Sequence, residues 1–498
     1  MEIVATFVPT GDGDPADAVA HAPAGATTVE LRADLLGPET ALGRLIAAAG
    51  VPVIVTLRSR AEGGQGPDDP AARRRFFTGA AALPAALFDL EAARDIGLLD
   101  AVVPRDRVIL SAHFTEGVPG DLEERAAALL AAGTRMVKIV PHARRLEDVA
   151  AVLRLAHALD RGSRAERRAT VFAAGEVGRP TRLLAPLLGA PLAYAAWAPG
   201  RAGAAGQYLP AELEALIGHL AGRPRRVFGV VGAAVGASLS PAMHAAAYRA
   251  LGLPNAFVPL PAREAAELDG LLAPAGESWL DAVGLPAGGF AVTMPWKAEA
   301  ARRCTLLAPR AERAAAANTV LPRRGKLLGD CTDIDGITRV LVDAGVQLAG
   351  ARALVLGAGG AARAAVVALQ LAGAEAAIAA RDAEQAGEQG CRLGVAVAEP
   401  EAGDRCGLAI NATPAGALGE TSPWLERLRL PAGSVIVDLP YGDAPTFLEQ
   451  LAARRGWRYA SGREVLLYQA VSQFAAMTGV APPVRAMAAA IGLGAEGA

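Results

Sequence analysis

Met136-Val-Lys-Ile-Val-Pro141 is a short apolar run that carries one lysine, Lys138, in its interior. Runs of this length and composition predict buried strands. Seven more such runs alternate with Ala- and Leu-rich helical segments up to about residue 222, and eight strand–helix repeats in this length predict a compact (β/α)8 barrel. An open, doubly wound sheet is the alternative, but it normally has fewer strands. The eight predicted strands are Ile3–Val8, Thr28–Leu31, Val53–Leu57, Leu87–Leu90, Val108–Ser111, Met136–Val140, Thr170–Ala173 and Leu192–Trp197.

Lysine is rare in this chain, since only Lys138, Lys297 and Lys326 occur among its 49 lysine and arginine residues. Arginine can replace lysine where only charge or hydrogen bonding is needed, but it cannot lose a proton near neutral pH or form an imine. Each lysine is therefore a candidate for amine chemistry. Chance retention explains Lys326, in an Arg-Arg-Gly-Lys turn, better than it explains Lys138 inside an apolar strand.

The composition indicates a large globular protein that acts on small molecules. With 498 residues, of which 52% are hydrophobic, the chain is long enough for two to four domains. A net charge of −2 gives no basic surplus for nucleic acid, and no run is long enough to cross a membrane. We expect no signal or transit peptide and a cytoplasmic location. The four scattered cysteines predict free thiols and no metal site, and the oligomeric state is left open.

Polar side chains lie at or just beyond the ends of the predicted strands. In a (β/α)8 barrel, side chains at the carboxyl ends of the strands form the active site. Any one of them could be a surface charge or a hydrogen-bonded core residue, but together they predict a cationic pocket with one amine and one imidazole. They are Glu30, Arg32, Arg58, Glu62, Glu91, His113, Lys138 and Arg182.

Six motifs, in order along the barrel, resemble type I 3-dehydroquinate dehydratase: Glu30-Leu-Arg-Ala-Asp34, Thr56-Leu-Arg-Ser-Arg-Ala-Glu-Gly-Gly64, Ser111-Ala-His-Phe114, Met136–Pro141, Gly175 through Arg182, and Ala205-Gly-Gln207. The resemblance implies that Lys138 forms a Schiff base with the C3 ketone of 3-dehydroquinate. His113 would then remove a C2 proton and help to expel the C1 hydroxyl, with Glu62 fixing its tautomer. The implied substrate-binding residues are Glu30, Arg32, Arg58, Arg182 and Gln207. The chain departs from the family at Gly203, where a substrate-binding serine is usual.

A Pro- and Arg-containing junction, Ala221-Gly-Arg-Pro-Arg-Arg226, separates the barrel from a second half. Ser238-Leu-Ser-Pro-Ala-Met-His244 predicts a helix start at which Ser238 and Ser240 can bind a carboxylate. The alternative is that Ser240 is simply an N-cap before proline. Lys297 follows in Ala291-Val-Thr-Met-Pro-Trp-Lys297.

Ala353-Leu-Val-Leu-Gly-Ala-Gly-Gly-Ala-Ala-Arg363 predicts a strand, a glycine turn and a helix, which is the context of a dinucleotide-binding fingerprint. The next predicted strand, Ala376–Ala380, ends at Arg381. An arginine here can pair with a 2′-phosphate and favours NADP. Asp382 argues for NAD, because a carboxylate repels that phosphate.

With these motifs and Ala317-Asn-Thr319, Thr332-Asp333, Asn411-Ala-Thr-Pro-Ala-Gly416, Val435–Tyr441 and Gly462–Gln469, residues 227–498 resemble shikimate dehydrogenase. The resemblance implies a catalytic dyad of Lys297 and Asp333. The implied substrate-binding residues are Ser238, Ser240, Thr293, Asn318, Tyr441 and Gln469. The predicted cofactor-binding residues are Gly357, Gly359, Gly360, Ala361, Arg381, Asn411, Thr413 and Gly462. Ala237, Ala291 and Cys331 replace polar residues of the family.

The resulting prediction is an α/β protein with a barrel at residues 1–222, a substrate-binding domain at 226–345, a Rossmann domain at 346–460 and a C-terminal segment at 461–498 that packs back on the substrate-binding domain. It resembles the plant-type fusion of the two enzymes, a lyase and an NADP-dependent oxidoreductase of aromatic amino-acid (chorismate) biosynthesis. A catabolic quinate or shikimate dehydrogenase, with NAD as a candidate cofactor, is the alternative. A regulatory sensor that kept these folds is a third hypothesis, but a sensor has no use for an imine-forming amine.

Overall fold

The computed structural model describes residues 2–9, 13–37, 41–161, 168–417 and 420–494. The chain divides into two compact units. The first comprises Met1–Arg226, Pro254–Arg263 and Trp279–Leu285, and the second comprises the rest, Val227–Leu253, Glu264–Ser278 and Pro286–Ala498. Residues 495–498 of the predicted C-terminal segment lie outside the described residues.

Eight parallel strands form the sheet of the first unit, in the order β7-β6-β5-β4-β3-β2-β1-β8. The sheet is a nearly closed barrel, and the backbone N–H of Leu192 in the last strand donates to Thr170 Oγ1 in the seventh at 3.3 Å. The predicted (β/α)8 barrel is therefore confirmed. The strands are β1 (Glu2–Phe7), β2 (Thr28–Arg32), β3 (Val53–Thr56), β4 (Leu87–Glu91), β5 (Val108–Phe114), β6 (Met136–Pro141), β7 (Ala169–Val171) and β8 (Leu192–Ala196).

Helices connect successive barrel strands, and local sequence signals start several of them. Asp14 and Asp69 accept backbone hydrogen bonds from the first turns of their helices, and a proline follows each of these caps. The barrel interior beneath the strand ends is filled by apolar side chains that include Val4, Ile54 and Ile109. The helices are α1 (Pro15–Ala20), α2 (Leu42–Ala48), α3 (Pro70–Ala81), α4 (Ala92–Asp95), α5 (Leu122–Ala131), α6 (Leu146–Arg161), α7 (Arg179–Leu187) and α8 (Pro210–Ile217).

A second, six-stranded sheet is mixed and has the order β10-β9-β11-β13-β14-β12. Strand β11 (Ala287–Val292), which leads to Lys297, is parallel to β9 on one side and antiparallel to β13 on the other. Lys326 is exposed at the start of β14. The strands are β9 (Arg226–Gly232), β10 (Asn255–Pro261), β11 (Ala287–Val292), β12 (Leu306–Leu307), β13 (Thr319–Arg323) and β14 (Lys326–Asp330).

A third sheet is entirely parallel, with the order β17-β16-β15-β18-β19-β20. This is the 3-2-1-4-5-6 arrangement of a Rossmann fold. Alternate residues of β15 pack into hydrophobic cores on opposite faces of this sheet: Val355 lies in one core, and Leu354 and Leu356 lie in the other. The strands are β15 (Arg352–Leu356), β16 (Glu375–Ala379), β17 (Ala396–Val397), β18 (Leu408–Asn411), β19 (Val435–Asp438) and β20 (Arg458–Ser461).

Several of the remaining helices supply predicted site residues from their first turns, among them Lys297 and Asp333. Within the described residues, no helix is long and apolar enough to span a membrane. The helices are α9 (Ser240–Ala250), α10 (Trp279–Ala282), α11 (Lys297–Arg303), α12 (Pro309–Ala314), α13 (Asp333–Asp343), α14 (Gly360–Leu371), α15 (Ala383–Leu393), α16 (Pro423–Glu426), α17 (Phe447–Arg455), α18 (Gly462–Thr478) and α19 (Val484–Ala489).

Candidate active sites

A cavity of about 200 Å³ opens at the carboxyl ends of the barrel strands. Side chains alternate along a strand, so Lys138 and Val140 of β6, and His142 just beyond it, all line this cavity. Of the residues predicted for the barrel pocket, Glu91 does not line this cavity; it is fully buried and pairs with Arg58 at 3.0 Å. The structure brings all the others to the cavity, and their roles remain predictions. They are Glu30, Arg32, Arg58, Glu62, His113, Lys138, Arg182 and Gln207.

Lys138 is held between two carboxylates. Its side chain is 5% exposed, and Nζ lies 2.9 Å from Asp89 Oδ2 and 3.3 Å from Glu30 Oε1. The ammonium also lies 4.1 Å from the centre of the Tyr194 ring. A buried amine with two anchored carboxylates and an aromatic face has a fixed position, which is what attack on a bound carbonyl requires.

The sequence analysis missed Asp89. It lies inside the apolar run Leu87–Leu90 and belongs to none of the motifs, yet it contacts Lys138, Arg58 and Ser111. Burial alone would raise the pKa of Asp89, but the charges of Arg58 and Lys138 hold it well below its usual value. The signal was present, because a carboxylate inside an apolar strand is as unusual as the lysine that drew attention to β6.

Glu62 holds His113 in place. Glu62 Oε2 lies 3.0 Å from His113 Nδ1 and accepts from the His113 backbone N–H at 3.1 Å. Burial and the nearby positive charges of Arg58 and Lys138 hold the pKa of His113 well below its usual value, so the imidazole is neutral at pH 7. Burial and the neighbouring carboxylate of Glu91 raise the pKa of Glu62 to about 7.

Arg58 is occupied by protein carboxylates. Its guanidinium lies 3.0 Å from both Asp89 and Glu91 and 3.3 Å from Glu62, and it also donates to Ser111. Burial opposes the charge, but these carboxylates raise the pKa of Arg58 above its usual value. Arg58 therefore lines the cavity and also holds the carboxylates around it in place.

Arg182 has the opposite surroundings. It is buried with its guanidinium 4.6 Å from the centre of the Phe172 ring, and burial lowers its pKa to about 10. Among the described residues, its Nε has no hydrogen-bond partner and no carboxylate forms an ion pair with it. Arg32, by contrast, is bound to Asp34 by two hydrogen bonds of 2.7 and 2.8 Å. Arg182 is thus a buried cation available to an anionic ligand.

A second cavity, of about 420 Å³, lies in the second unit and is lined by both substrate-sheet and Rossmann residues. Lys297 Nζ lies 2.5 Å from Asp333 Oδ2 in this cleft, and the two side chains are 13% and 14% exposed. Both residues begin helices, α11 and α13. The cleft contains most of the residues predicted for the dehydrogenase site: Ser238, Ser240, Thr293, Lys297, Asn318, Asp333, Ala361, Thr413, Tyr441, Gly462 and Gln469.

Asn318 connects the dyad to the rest of the cleft. Its amide nitrogen lies 3.0 Å from Asp333 Oδ1 and 3.1 Å from Gln469 Oε1, and its side-chain oxygen accepts from the Thr332 backbone at 2.7 Å. Gln473, which the sequence analysis missed, donates to the Asn318 backbone carbonyl at 3.0 Å. The alternative that Ser240 is an N-cap is wrong, because Leu239 occupies the cap of α9 without a side-chain bond.

The glycine turn before α14 leaves room for a cofactor close to the backbone. Gly357 has φ +115°, and a Cβ there would lie 3.1 Å from Thr413 Cγ2. A Cβ on Gly359, the N-cap of α14, would meet nothing within 4 Å, so the helix N-terminus is open to a phosphate. A Cβ on Gly360 would lie 3.2 Å from Lys297 Cβ, which places this turn directly beside the dyad.

Like the three glycines of this turn, Asn411 and Arg381 were predicted to bind the cofactor but do not line the cleft. Asn411 is fully buried and bonds Asp438 at 2.7 Å and Thr413, so it fixes the loop after β18. Arg381 is exposed beyond the end of β16, and Asp382 next to it caps α15 by accepting from the Gln385 backbone N–H at 3.0 Å. Within the described residues, no cluster of three or more His, Cys, Asp or Glu side chains could hold a metal ion.

Comparison with known families follows the same division of the chain. Residues 4–222 match the type I 3-dehydroquinase model, 230–320 the shikimate dehydrogenase substrate binding domain, and 462–491 the shikimate 5'-dehydrogenase C-terminal domain. The NADP(+) shikimate dehydrogenase of Geobacter sulfurreducens is 35% identical over 281 residues, covering 53% of this chain and 96% of that protein. The pentafunctional AROM polypeptide of Candida glabrata is 29% identical over 471 residues, covering 88% of this chain and 29% of that protein. A crystal structure of shikimate 5-dehydrogenase from Thermus thermophilus with NADP(H) and shikimate is 33% identical, covering 53% of this chain and 98% of that one, with a TM-score of 0.48.

A lysine-bearing barrel joined to a Rossmann-containing unit with its own Lys–Asp pair defines a two-site enzyme, a lyase combined with an oxidoreductase. The chain belongs to the shikimate dehydrogenase family through its second half, and its barrel, residues 4–222, is a type I 3-dehydroquinase domain. It is therefore a bifunctional enzyme of the shikimate pathway. This confirms the predicted fold and pair of enzyme classes.

Proposed function

We propose that the barrel dehydrates 3-dehydroquinate through a Schiff base on Lys138 and that the second half reduces the resulting 3-dehydroshikimate to shikimate with NADPH. The observation that supports this most is the barrel cavity itself. It combines a buried amine, a neutral imidazole and, in Arg182, a buried cation that has no carboxylate partner among the described residues. These are the groups needed to form an iminium, remove a proton and bind a carboxylate.

The dehydration begins when Lys138 gives up one ammonium proton and the free amine adds to the C3 ketone. Two of the three original ammonium protons then leave with the carbonyl oxygen as water, which gives an iminium with one N–H. The iminium withdraws electrons from C2, so His113 can take a C2 proton. The electron pair left at C2 then expels the C1 hydroxyl, to which the His113 imidazolium returns the proton, and water departs. Hydrolysis of the iminium releases 3-dehydroshikimate and regenerates Lys138. Asp89 and Glu62 position the amine and the imidazole, respectively.

The substrate carboxylate would pair with Arg182, because burying an unpaired cation is costly until an anion arrives. Glu30 accepts hydrogen bonds from Thr6 and Thr56, each at 2.8 Å, and is fixed as an acceptor for a substrate hydroxyl. Burial alone would raise the pKa of Glu30, but the charges of Lys138 and Arg32 hold this pKa below its usual value. Arg32 and Gln207 complete the polar wall, and Arg58 acts mainly through the carboxylates it binds.

In the second half, Lys297 and Asp333 are proposed to handle the proton at the C3 oxygen. A bound NADPH supplies the hydride. The Lys297 ammonium can donate a proton to the developing alkoxide, and Asp333 fixes its position. Asn318 holds the other oxygen of Asp333, which leaves Ser238, Ser240 and the other cleft residues to bind substrate. We also assign substrate binding to Thr293, Tyr441 and Gln469, because they line the same cleft.

The residues at the cofactor site fit a dinucleotide phosphate. The open N-terminus of α14 suits the pyrophosphate, and Arg381 beyond β16 suits the 2′-phosphate of NADP. The alternative of a quinate or shikimate dehydrogenase using NAD rests on Asp382 and on Ala237 and Ala291, which line the cleft without polar groups. Initial rates with shikimate and quinate, each with NADP and NAD, discriminate between the two. A strong preference for quinate with NAD would contradict the NADP-dependent biosynthetic activity.

The location and domain limits are part of the same proposal. All four cysteines are free thiols, which is typical of a reducing compartment and supports a cytoplasmic enzyme. We retain limits of 1–222 for the barrel, 226–345 for the substrate-binding domain, 346–460 for the Rossmann domain and 461–498 for the C-terminal segment.

Borohydride reduction in the presence of 3-dehydroquinate tests the dehydratase mechanism. Reduction of the iminium should leave a stable adduct on Lys138, which peptide mass spectrometry would locate. Lys138→Arg is the matched control, because it keeps the charge but cannot form an imine. Absence of an adduct, or an adduct on the exposed Lys326, would overturn the proposed mechanism.

A further inference from the structure

A second histidine, His142, lines the barrel cavity one position beyond the Met136–Pro141 stretch. It follows Lys138 and Val140 at every second position along the chain, and all three side chains line the cavity. Four strand positions of about 3.3 Å each place the His142 backbone about 13 Å beyond that of Lys138, toward the carboxyl ends of the strands. His142 therefore belongs to the outer part of the cavity.

The backbone at His142 is held from both sides. The His142 N–H donates to the Phe114 carbonyl at 2.9 Å, and the Ala174 N–H donates to the Pro141 carbonyl at 2.8 Å. The Ala143 N–H donates to the Ala174 carbonyl at 3.1 Å. Strand pairing thus continues past the last residue of β6 and fixes the position from which the imidazole enters the cavity.

The His142 imidazole packs against backbone but is not bound by a polar group of the protein. Gly175 has φ +86°, and a Cβ there would lie 3.0 Å from both Cε1 and Nε2 of the ring. In the part of the chain that the structure describes, neither ring nitrogen of His142 has a hydrogen-bond partner, whereas His113 is bound to Glu62 at 3.0 Å. The half-buried imidazole therefore has its hydrogen-bonding capacity available to a ligand.

His142 and Arg182 belong to adjacent layers of the same cavity wall. His142 pairs with Ala174 just beyond the ends of β6 and β7. Val140 and Phe172, two residues earlier in each chain segment, line the cavity one layer below. The Arg182 guanidinium lies over the Phe172 ring, 4.6 Å from its centre. Two strand residues span about 7 Å, a separation at which side chains can contact the same ligand.

We propose that His142 is a further substrate-binding residue of the dehydratase and that it donates a second hydrogen bond to the carboxylate bound by Arg182. A carboxylate has about four acceptor positions, and a guanidinium fork leaves some of them free. An imidazole N–H from the outer layer can reach one of these. The inference rests on the proposed dehydratase function and gives the outer layer of the cavity a role in recognising an acidic substrate.

Substitutions at His142 separate the hydrogen bond from the shape of the ring. His142→Phe keeps an aromatic ring without an N–H, and should raise the KM for 3-dehydroquinate about tenfold with little change in kcat. His142→Gln and His142→Asn place an amide N–H near the position of one or the other ring nitrogen, and at least one of them should stay within about threefold of wild type. His21→Phe is the matched control, because His21 is exposed on the barrel outside the cavity and bonds the Asp17 backbone carbonyl. It should keep the wild-type KM.

Two product analogues test which substrate group His142 contacts. 3-Dehydroshikimate and its primary amide, used without NADPH as competitive inhibitors of dehydration, differ only in the carboxylate. His142→Phe should weaken binding of the acid about tenfold and binding of the amide by no more than about twofold. In an Arg182→Met background, His142→Phe should weaken binding of the acid by much less than tenfold, because the two residues act on one group.

Four results would overturn the inference: wild-type KM in His142→Phe, equal losses in all three His142 variants, equal losses for acid and amide, or additive effects with Arg182→Met. Borohydride trapping separates these results from failure of the dehydratase proposal. His142→Phe should still form the Lys138 adduct at saturating substrate, whereas a failed Schiff-base mechanism would leave the wild type without an adduct as well. Shikimate oxidation by the same chain should stay constant in every variant and shows that the protein is folded.

Discussion

The charge of Glu62 should control the dehydratase near neutral pH. An ionised Glu62 accepts a hydrogen bond from the Nδ1–H group of His113, with Nδ1 and Oε2 3.0 Å apart, which leaves Nε2 without a proton and able to act as the base. A protonated Glu62 can donate to Nδ1 instead, which places the imidazole proton on Nε2 and removes the base. Because the pKa of His113 is well below its usual value, the proton taken up between pH 8 and pH 6 goes to Glu62.

The structure sets the size of this effect. The pKa of Glu62 is raised from 4.5 to about 7, first by burial and then by Glu91, which disfavours its charged form by about 3 kcal/mol. With a pKa near 7, the ionised fraction rises from about a tenth at pH 6 to about nine tenths at pH 8, so kcat/KM should rise roughly tenfold. By linkage, the folded barrel loses up to about 3 kcal/mol of stability as pH rises from about 4.5 through 7, because the raised pKa favours the protonated folded state.

The assay is the rate of enone formation from 3-dehydroquinate, followed by ultraviolet absorbance between pH 6 and 8. Glu62→Gln should lower the rate and give a flat profile, since its amide cannot ionise. Glu116→Gln, which changes an exposed carboxylate, should keep the wild-type profile. An unchanged inflection near pH 7 in Glu62→Gln would show that another group titrates and that the Glu62–His113 contact does not control the pH dependence.

Three more predictions concern the two lysines, the cofactor site and a buried ion pair. Lys138→Arg should abolish dehydration and leave shikimate oxidation intact, and Lys297→Arg should do the reverse; loss of both activities in either variant would contradict two independent sites. Asp382→Asn keeps an N-cap for α15 but removes a negative charge. The KM for NADP should therefore fall by up to about fivefold relative to the KM for NAD. An unchanged ratio of the two KM values would show that Asp382 does not face the 2′-phosphate. Arg73→Met leaves the buried Asp95 without its ion-pair partner, whereas Glu91 keeps Arg58. This should cost about 3–5 kcal/mol, seen as dehydratase inactivation at a lower temperature. Arg125→Met, at an exposed pair, should leave that temperature unchanged.

The strand pattern was predictable because each barrel strand is a short apolar run that repeats at a regular interval. The ends of the strands were less predictable. Strand β5 continues to Phe114, three residues beyond the predicted end, because His113 and Phe114 pair with β6. Such pairing depends on register between strands that are separate in sequence. A local pattern cannot show it.

The same limit explains what was missed in the sites. Arg58 lies in a sequence motif that predicts substrate binding. In the structure, however, its guanidinium is bound by carboxylates from β4 and from the turn after β3. Asn318 also matches a substrate-binding motif, but it bonds Asp333 and Gln469, which lies 151 positions farther along the chain. Residue identity indicated which side chains matter, whereas three-dimensional contacts determine which of them face a ligand and which hold others in place.

The distribution of the three lysines makes the protein suitable for chemical footprinting without any mutation. Lys138 and Lys297 line separate cavities, and Lys326 is exposed at the start of β14. An amine-specific label read by mass spectrometry therefore gives one signal for each cavity and one internal reference. Protection of one signal by a ligand, with the other two unchanged, would measure the occupancy of that cavity directly in the unmodified two-site enzyme.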